Sequence, residues 1–167
     1  QTIEFLKKHK PVYPDSNLLE ISQNRLNEKD FLSSIGIPTA PWAPCYKPED
    51  IDVTLGKWGA KECIIKTTRF GYDGKGQLKH TVSSNSIESW NDLNTDEAII
   101  EGIIDFNFEI SVVIARDLMG HSAAYPAVKN EHKNHILSKT IARFGDNSPI
   151  SPTLAQQASD MAHKVAE

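Results

Sequence analysis

Apolar positions recur along the chain with two spacings, and the changes between them mark out the elements. Thr2 to His9 reads as a short helix, and Pro11-Val12-Tyr13-Pro14 as an extended segment pinned by its prolines. Asp15 or Ser16 then caps a single helical stretch. Its apolar stripe is Leu19, Leu26, Phe31, Leu32 and Ile35; Gly36 ends it and Pro38 follows. Thr39 to Tyr46 is extended. Pro48 suits the first turn of a helix running to about Gly59.

From Cys63 onward the period of two dominates. Cys63 to Thr68 reads as a strand, a glycine-rich turn follows, and Gln77 to Val82 reads as the return strand. Asn85 to Leu93 is a helix, Glu97 to Gly102 a strand, and Phe108 to Asp117 a longer one. Gly120 permits a turn into His121 to Val128, Ile136 to Ala142 is a further apolar segment, and Ser151-Pro152 opens a last helix. The fold class this predicts is mixed α/β with antiparallel hairpins flanked by helices, not the strict βαβ alternation of a dinucleotide-binding sheet.

The sharpest local signal runs from Lys66 to Gln77, with Gly71, Gly74 and Gly76 inside it. Glycines permit positive φ and a close approach of the backbone to a ligand. Consecutive N–H groups in such a turn make a concave anion site, and Lys75 adds a charge at its tip. Lys66 stands within the apolar run Cys63-Ile64-Ile65, where a lysine must reach solvent or meet an anion. A plain hairpin with a glycine tip and a strand-end lysine fits the loop equally well. The pattern is neither a Walker A loop nor the Gly-x-Gly-x-x-Gly of dinucleotide folds. As a phosphate cover it would be a lid, mobile when empty.

Downstream, Ala98 to Ile104 is an apolar strand bearing one acid, Glu101. In the next strand, alternation puts Glu109, Ser111 and Val113 on one face and Ile110, Val112 and Ile114 on the other. A leading carboxylate such as Glu109 suits ribose hydroxyls, and backbone groups around Glu101 to Ile104 could read an adenine edge. Two ordinary strand-end acids are the simpler alternative. His132 and His135, with Glu131 beside them, invite a metal reading, but on a strand their rings point to opposite faces. Contact between His132 and a nucleotide fits better.

Charge narrows the ligands. The formal charge is −4 over 167 residues, with acids and bases interleaved, which disfavours a nucleic-acid polymer but leaves room for a small phosphorylated ligand. Apolar residues make up 39% and charged residues 24%, as in globular proteins, and no run approaches the ~20 apolar residues of a membrane span. Cys45 and Cys63 form no Cys-x-x-Cys pair and read as reduced thiols of a cytoplasmic protein.

Several segments together resemble one family. They are Asn24 to Leu32, Gly36 to Trp42, Ile65 to Gln77, Glu101 to Phe106 with Glu109 to Ser111, and Tyr125 to Asn130 with His132. They are similar to the ATP-grasp ligases and, through Gly71-Tyr72-Asp73-Gly74-Lys75-Gly76-Gln77, to the 5-(carboxyamino)imidazole ribonucleotide synthases of purine synthesis. The resemblance implies ATP and Mg²⁺ as cofactors, with aminoimidazole ribonucleotide and bicarbonate as substrates. It implies that Arg25 and Lys66 contact phosphates, Gly71 to Gln77 form the lid, Glu101, Gly102, Ile103 and Ile104 form the adenine hinge, Glu109 holds the ribose, and His132 lines the nucleotide site. Tyr72, Asp73 and Lys75 would face the ribonucleotide, with Lys66 and Lys75 nearest the chemistry. It implies an enzyme that is homodimeric when full length, and a chain that is a fragment, its metal-binding acids lying beyond Glu167. The expected segments are 1–14, the tail of a preceding dinucleotide-fold-like domain; 15–47, a helical connection; 48–104, the small ATP-grasp lobe; and 105–167, the start of the large one. Another ATP-grasp carboxylate-amine ligase, and a nucleotide-binding module without turnover, are the alternatives.

Overall fold

The computed structural model describes residues 2–70, 76–134, 136–143, 145 and 148–167. These form two compact units, 1–103 and 104–167. Among the described residues no helix is long and apolar enough to cross a membrane.

The first unit opens with α1 (Thr2–Lys7) and α2 (Ser16–Ser22), the latter capped by Asp15, whose carboxylate accepts from the Asn17 N–H. Where the sequence predicted one helix there are two. Asn24 takes extended dihedrals and its side chain accepts from the N–H groups of Leu26 and Asn27, starting α3 (Arg25–Ser34). A side chain that satisfies the first free donors of a new helix also ends the old one. Next come β1 (Trp42–Cys45), α4 (Glu49–Trp58), β2 (Glu62–Thr67), β3 (Gln77–Thr81), α5 (Ser86–Leu93) and β4 (Ala98–Gly102). The four strands make one antiparallel sheet in the order β1-β4-β2-β3.

Register assigns the two faces of this sheet, because directly opposed residues share a face. Cys63 lies opposite Gly102 and His80, Ile65 opposite Ile100, and Cys45 opposite Ala98. That face is buried with Ile51 and Leu55 of α4 and Leu93 of α5. Burying a side chain such as Ile65 contributes about 1.5–3 kcal/mol, so this face holds the unit together. On the other face Lys66 lies opposite Ile99, and Glu101 opposite both Ile64 and Trp42.

The second unit contains β5 (Glu109–Ser111), β6 (Ile114–Arg116), β7 (Ser122–Ala124), β8 (Val128–Lys133), β9 (Ile136–Ile141) and α6 (Pro152–Ala166). Two predicted strands are corrected. Phe108 to Asp117 divides, because β5 pairs with β8 whereas β6 pairs with β7. His121 to Val128 likewise divides between β7 and β8. The alternation read across Val112 and Val113 therefore holds only within β5. Between Glu131 and His132 the β8–β9 register shifts, leaving Ser138 as an extra residue on β9. Ser151 caps α6 through the Leu154 N–H, with Pro152 at its first turn.

Candidate nucleotide-binding site

In the first unit the polar face of the sheet carries a cluster of three charges. Lys66 projects from β2, Glu101 from β4, and Lys29 from α3. Glu101 is only 9% exposed. Its Oε1 lies 2.9 Å from Lys29 Nζ, and its Oε2 pairs with Lys66 Nζ. Lys66 is thus diagonal to Glu101 across the β2–β4 pair, its side chain about a quarter exposed. Burial pushes the Glu101 carboxyl up, but hydrogen bonds from Lys66 and then Lys29, with their charges, outweigh it and hold it below the ordinary 4.5. Two ammonium groups against one carboxylate leave the cluster with a surplus of one positive charge.

Helix α3 is tied to the end of β2 next to this cluster. The Arg25 N–H donates to the Thr68 carbonyl (3.0 Å) and Arg25 Nη1 to the Thr67 carbonyl (2.8 Å). Glu97 Oε2 accepts from Thr68 Oγ1 (2.7 Å) and Asn24 Nδ2 (3.4 Å). Arg25 and Lys29 stand one helical turn apart, hence on one face of α3. Lys29 escaped the sequence reading: it looks like an ordinary helix-surface lysine, and its spacing from Arg25 was the only available signal.

The glycine loop leaves this sheet from β2 and returns in β3. Gly71, Tyr72, Asp73, Gly74 and Lys75 lie outside the described residues, so the lid and the Lys75 assignment rest on sequence alone. Its flanks are described. Phe70 and Gly76 both take positive φ, 64° and 70°, and the Thr67 N–H donates to the Gly76 carbonyl at 2.8 Å. Gln77 lies directly opposite Lys66. On the hinge strand, the Gly102 N–H donates to the Pro41 carbonyl at 2.8 Å, and a Cβ on Gly102 would sit 3.3–3.4 Å from the Pro41 ring. Ile103 and Ile104 are both exposed.

In the second unit two residues predicted separately come together. Glu109 lies opposite Asn130, so it is diagonal to His132, and His132 Nδ1 sits 2.6 Å from Glu109 Oε2. With Nδ1–H donating to the carboxylate, Nε2 is the ring atom left for another partner. The face continues through Asn130, whose Nδ2 donates to Ser111 Oγ (3.0 Å) and whose Oδ1 accepts from Thr140 Oγ1 (3.1 Å). Thr140 had no local signal; the β8–β9 pairing alone brings it here. His135 falls outside the described residues. Among the described residues no three His, Cys, Asp or Glu side chains gather as metal ligands.

A lysine beside a glycine loop on an antiparallel sheet, followed by a second antiparallel sheet carrying acid and histidine, is the arrangement of the ATP-grasp class. The ATP-grasp domain profile matches residues 30–167, and the chain belongs to this family. Within it, the chain is 36% identical over 161 residues to the N5-carboxyaminoimidazole ribonucleotide synthase of Brucella melitensis, covering 93% of this chain and 41% of that protein. It is 35% identical over 170 residues to the bifunctional purine synthesis protein purC/E of Dictyostelium discoideum, covering 99% of this chain and 16% of that one. The crystal structure of an ADP complex of N5-carboxyaminoimidazole ribonucleotide synthetase superimposes with a TM-score of 0.86 at 30% identity, covering 98% of this chain and 42% of that one. The chain thus spans between 16% and 42% of the length of these relatives.

Proposed function

We propose that this chain forms the ATP-binding part of an enzyme that carboxylates 5-aminoimidazole ribonucleotide with bicarbonate, at the expense of ATP, in purine synthesis. The observation that carries the reading is the placement of Lys66 opposite Gln77, the last residue of the 71–77 segment, on a sheet face with surplus positive charge. Similarity to a synthase of N5-carboxyaminoimidazole ribonucleotide supports this choice of reaction. Lys66 and Arg25 meet the phosphates, the 71–77 loop covers them, and the backbone of Glu101 to Ile104 takes the adenine. Glu109, oriented by His132, accepts hydrogen bonds from the ribose hydroxyls.

In this chemistry bicarbonate attacks the γ-phosphate to give carboxyphosphate and ADP. The carboxyl group then passes to the exocyclic amine as inorganic phosphate leaves. Carboxyphosphate hydrolyses readily, so a loop closing over the phosphates protects it from water. Divalent magnesium would neutralise phosphate charge, but the described acids are not a ready site for it: Glu101 is engaged by two lysines and Glu109 by His132. A cytoplasmic location and a homodimer complete the proposal.

Calorimetric titration of the full protein with ATP tests the reading. Lys66→Ala should weaken binding by about tenfold or more, as a charge-assisted contact of ~1.5–3 kcal/mol requires. Unchanged affinity would remove Lys66 from the phosphate site, and ATP binding without turnover on the aminoimidazole substrate would favour a non-catalytic nucleotide module.

A further inference from the structure

Lys29 has no role in the reading so far, yet it is the most enclosed cation of the charged cluster. Its side chain is 16% exposed against 26% for Lys66, and its Nζ holds one oxygen of Glu101 while Lys66 holds the other. Both lysines cannot be tied to Glu101 if one is to bind phosphate. A buried carboxylate left without a partner is costly, so it resists giving up its counter-ion. Were Lys66 the sole partner, each phosphate contact would have to be made against that cost.

We propose that Lys29 is a positioning residue: it keeps Glu101 paired when Lys66 turns from the carboxylate to a phosphate oxygen. The two lysines approach from different elements, Lys29 from α3 and Lys66 from β2, and use different carboxylate oxygens. One bond can therefore break while the other stands. Lys66 is also the more exposed of the two, as the mobile partner should be. After the exchange Glu101 and Lys29 are neutral as a pair, and the whole surplus charge sits on Lys66, where a polyanion needs it. Arg25, one turn away on α3, is held by the Thr67 carbonyl and does not reach the carboxylate through any hydrogen bond found among the described residues.

The role rests on the nucleotide reading above, and the test separates the two. The full protein is titrated calorimetrically with a non-hydrolysable ATP analogue and, separately, with adenosine, which has no phosphate. Lys29→Met should weaken the analogue about tenfold or more while leaving adenosine within about twofold, the size expected when a charge-assisted contact is lost. Lys29→Arg should restore the analogue. In a Glu101→Gln background, where no carboxylate needs a partner, Lys29→Met should change analogue affinity by less than about twofold, since coupling between contacting residues vanishes when one is removed. Should Lys29→Met not fold, Lys29→Gln, which keeps a hydrogen bond without the charge, makes the same comparison. Equal analogue affinity in wild type and Lys29→Met overturns the role alone. Equal losses in both backgrounds, or for analogue and adenosine alike, reduce Lys29 to a structural residue and overturn it too. Wild type that binds neither ligand overturns the nucleotide site and this role together.

Discussion

Gly76 closes the glycine loop onto β3, and Gly76→Ala is a perturbation whose size can be worked out. Two costs arise. The residue sits at φ 70°, where a Cβ costs roughly 1–2 kcal/mol. The new methyl would also lie 2.8 Å from Thr67 Oγ1 and 3.4 Å from Thr67 Cγ2. Thr67 cannot turn away freely, because Oγ1 donates to the Arg69 carbonyl at 2.8 Å. Rotating it breaks that bond, worth about 0.5–1.5 kcal/mol. The sum is about 1.5–3.5 kcal/mol, read as a fall in urea-unfolding free energy. In a Thr67→Ala background the contact and the bond are already gone, so Gly76→Ala should cost only the backbone part, about 1–2 kcal/mol. A cost below about 0.5 kcal/mol, or one equal in both backgrounds, would show that the loop does not return through a left-handed Gly76 packed on Thr67.

Other residues give further tests. Glu109→Gln should weaken ATP more than the ribonucleotide, and equal or reversed losses by calorimetry would take Glu109 off the ribose. His80 is fully buried against Ser89 Oγ (2.9 Å); burial, opposed in part by the charge of Asp52, holds it below the ordinary 6.5. As pH falls below 6.5 the unfolded chain takes up a proton that folded His80 refuses, so stability should fall, and His80→Gln should flatten the drop in urea midpoint between pH 7.5 and 5.5. Burial, with help from Asp50, pushes the Cys45 thiol up to about 12, and burial pushes Cys63 up to about 11. Neither should react with a thiol reagent at pH 8 in the native protein, and both should react in denaturant; fast native labelling would contradict the packing of β1 and β2.

Much of the fold was legible because the relevant signals are local. Gly59 ends α4 at φ 62°, Asn85 caps α5 through the N–H groups of Ile87 and Glu88, and the strand expected at Cys63–Thr68 became β2 within one residue. The failures share a cause as well. From Leu19 to Leu26 is seven residues, two helical turns, so the apolar stripe continues across a break that only the cap chemistry of Asn24 reveals. The alternation of Ile110, Val112 and Ile114 runs unbroken past the point where the chain leaves β8 for β7. A strand's own pattern records which face it buries, not which neighbour it pairs with, so an exchange of partners is invisible to it.

The same limit explains the two acids of the candidate site. In sequence Glu101 and Glu109 are alike, each a carboxylate on an apolar strand, and the reading used the backbone of the first for adenine and the carboxylate of the second for ribose. In space they differ. Glu101 is buried between two lysines from two elements, whose hydrogen bonds and charges hold its carboxyl below the ordinary range. Glu109, about half exposed, has His132 on one oxygen and keeps the other open to a hydroxyl. If an acid's work is set by the group beside it, removing that group should exchange the roles of neither residue but damage each differently. Losing Lys29 should be felt through phosphate affinity, and losing His132 through affinity for the sugar. His132→Ala should therefore weaken ATP and adenosine to the same degree, because both carry the ribose, whereas Lys29→Met should discriminate between them. A His132→Ala loss confined to ATP would place His132 on the phosphates and undo the division drawn here.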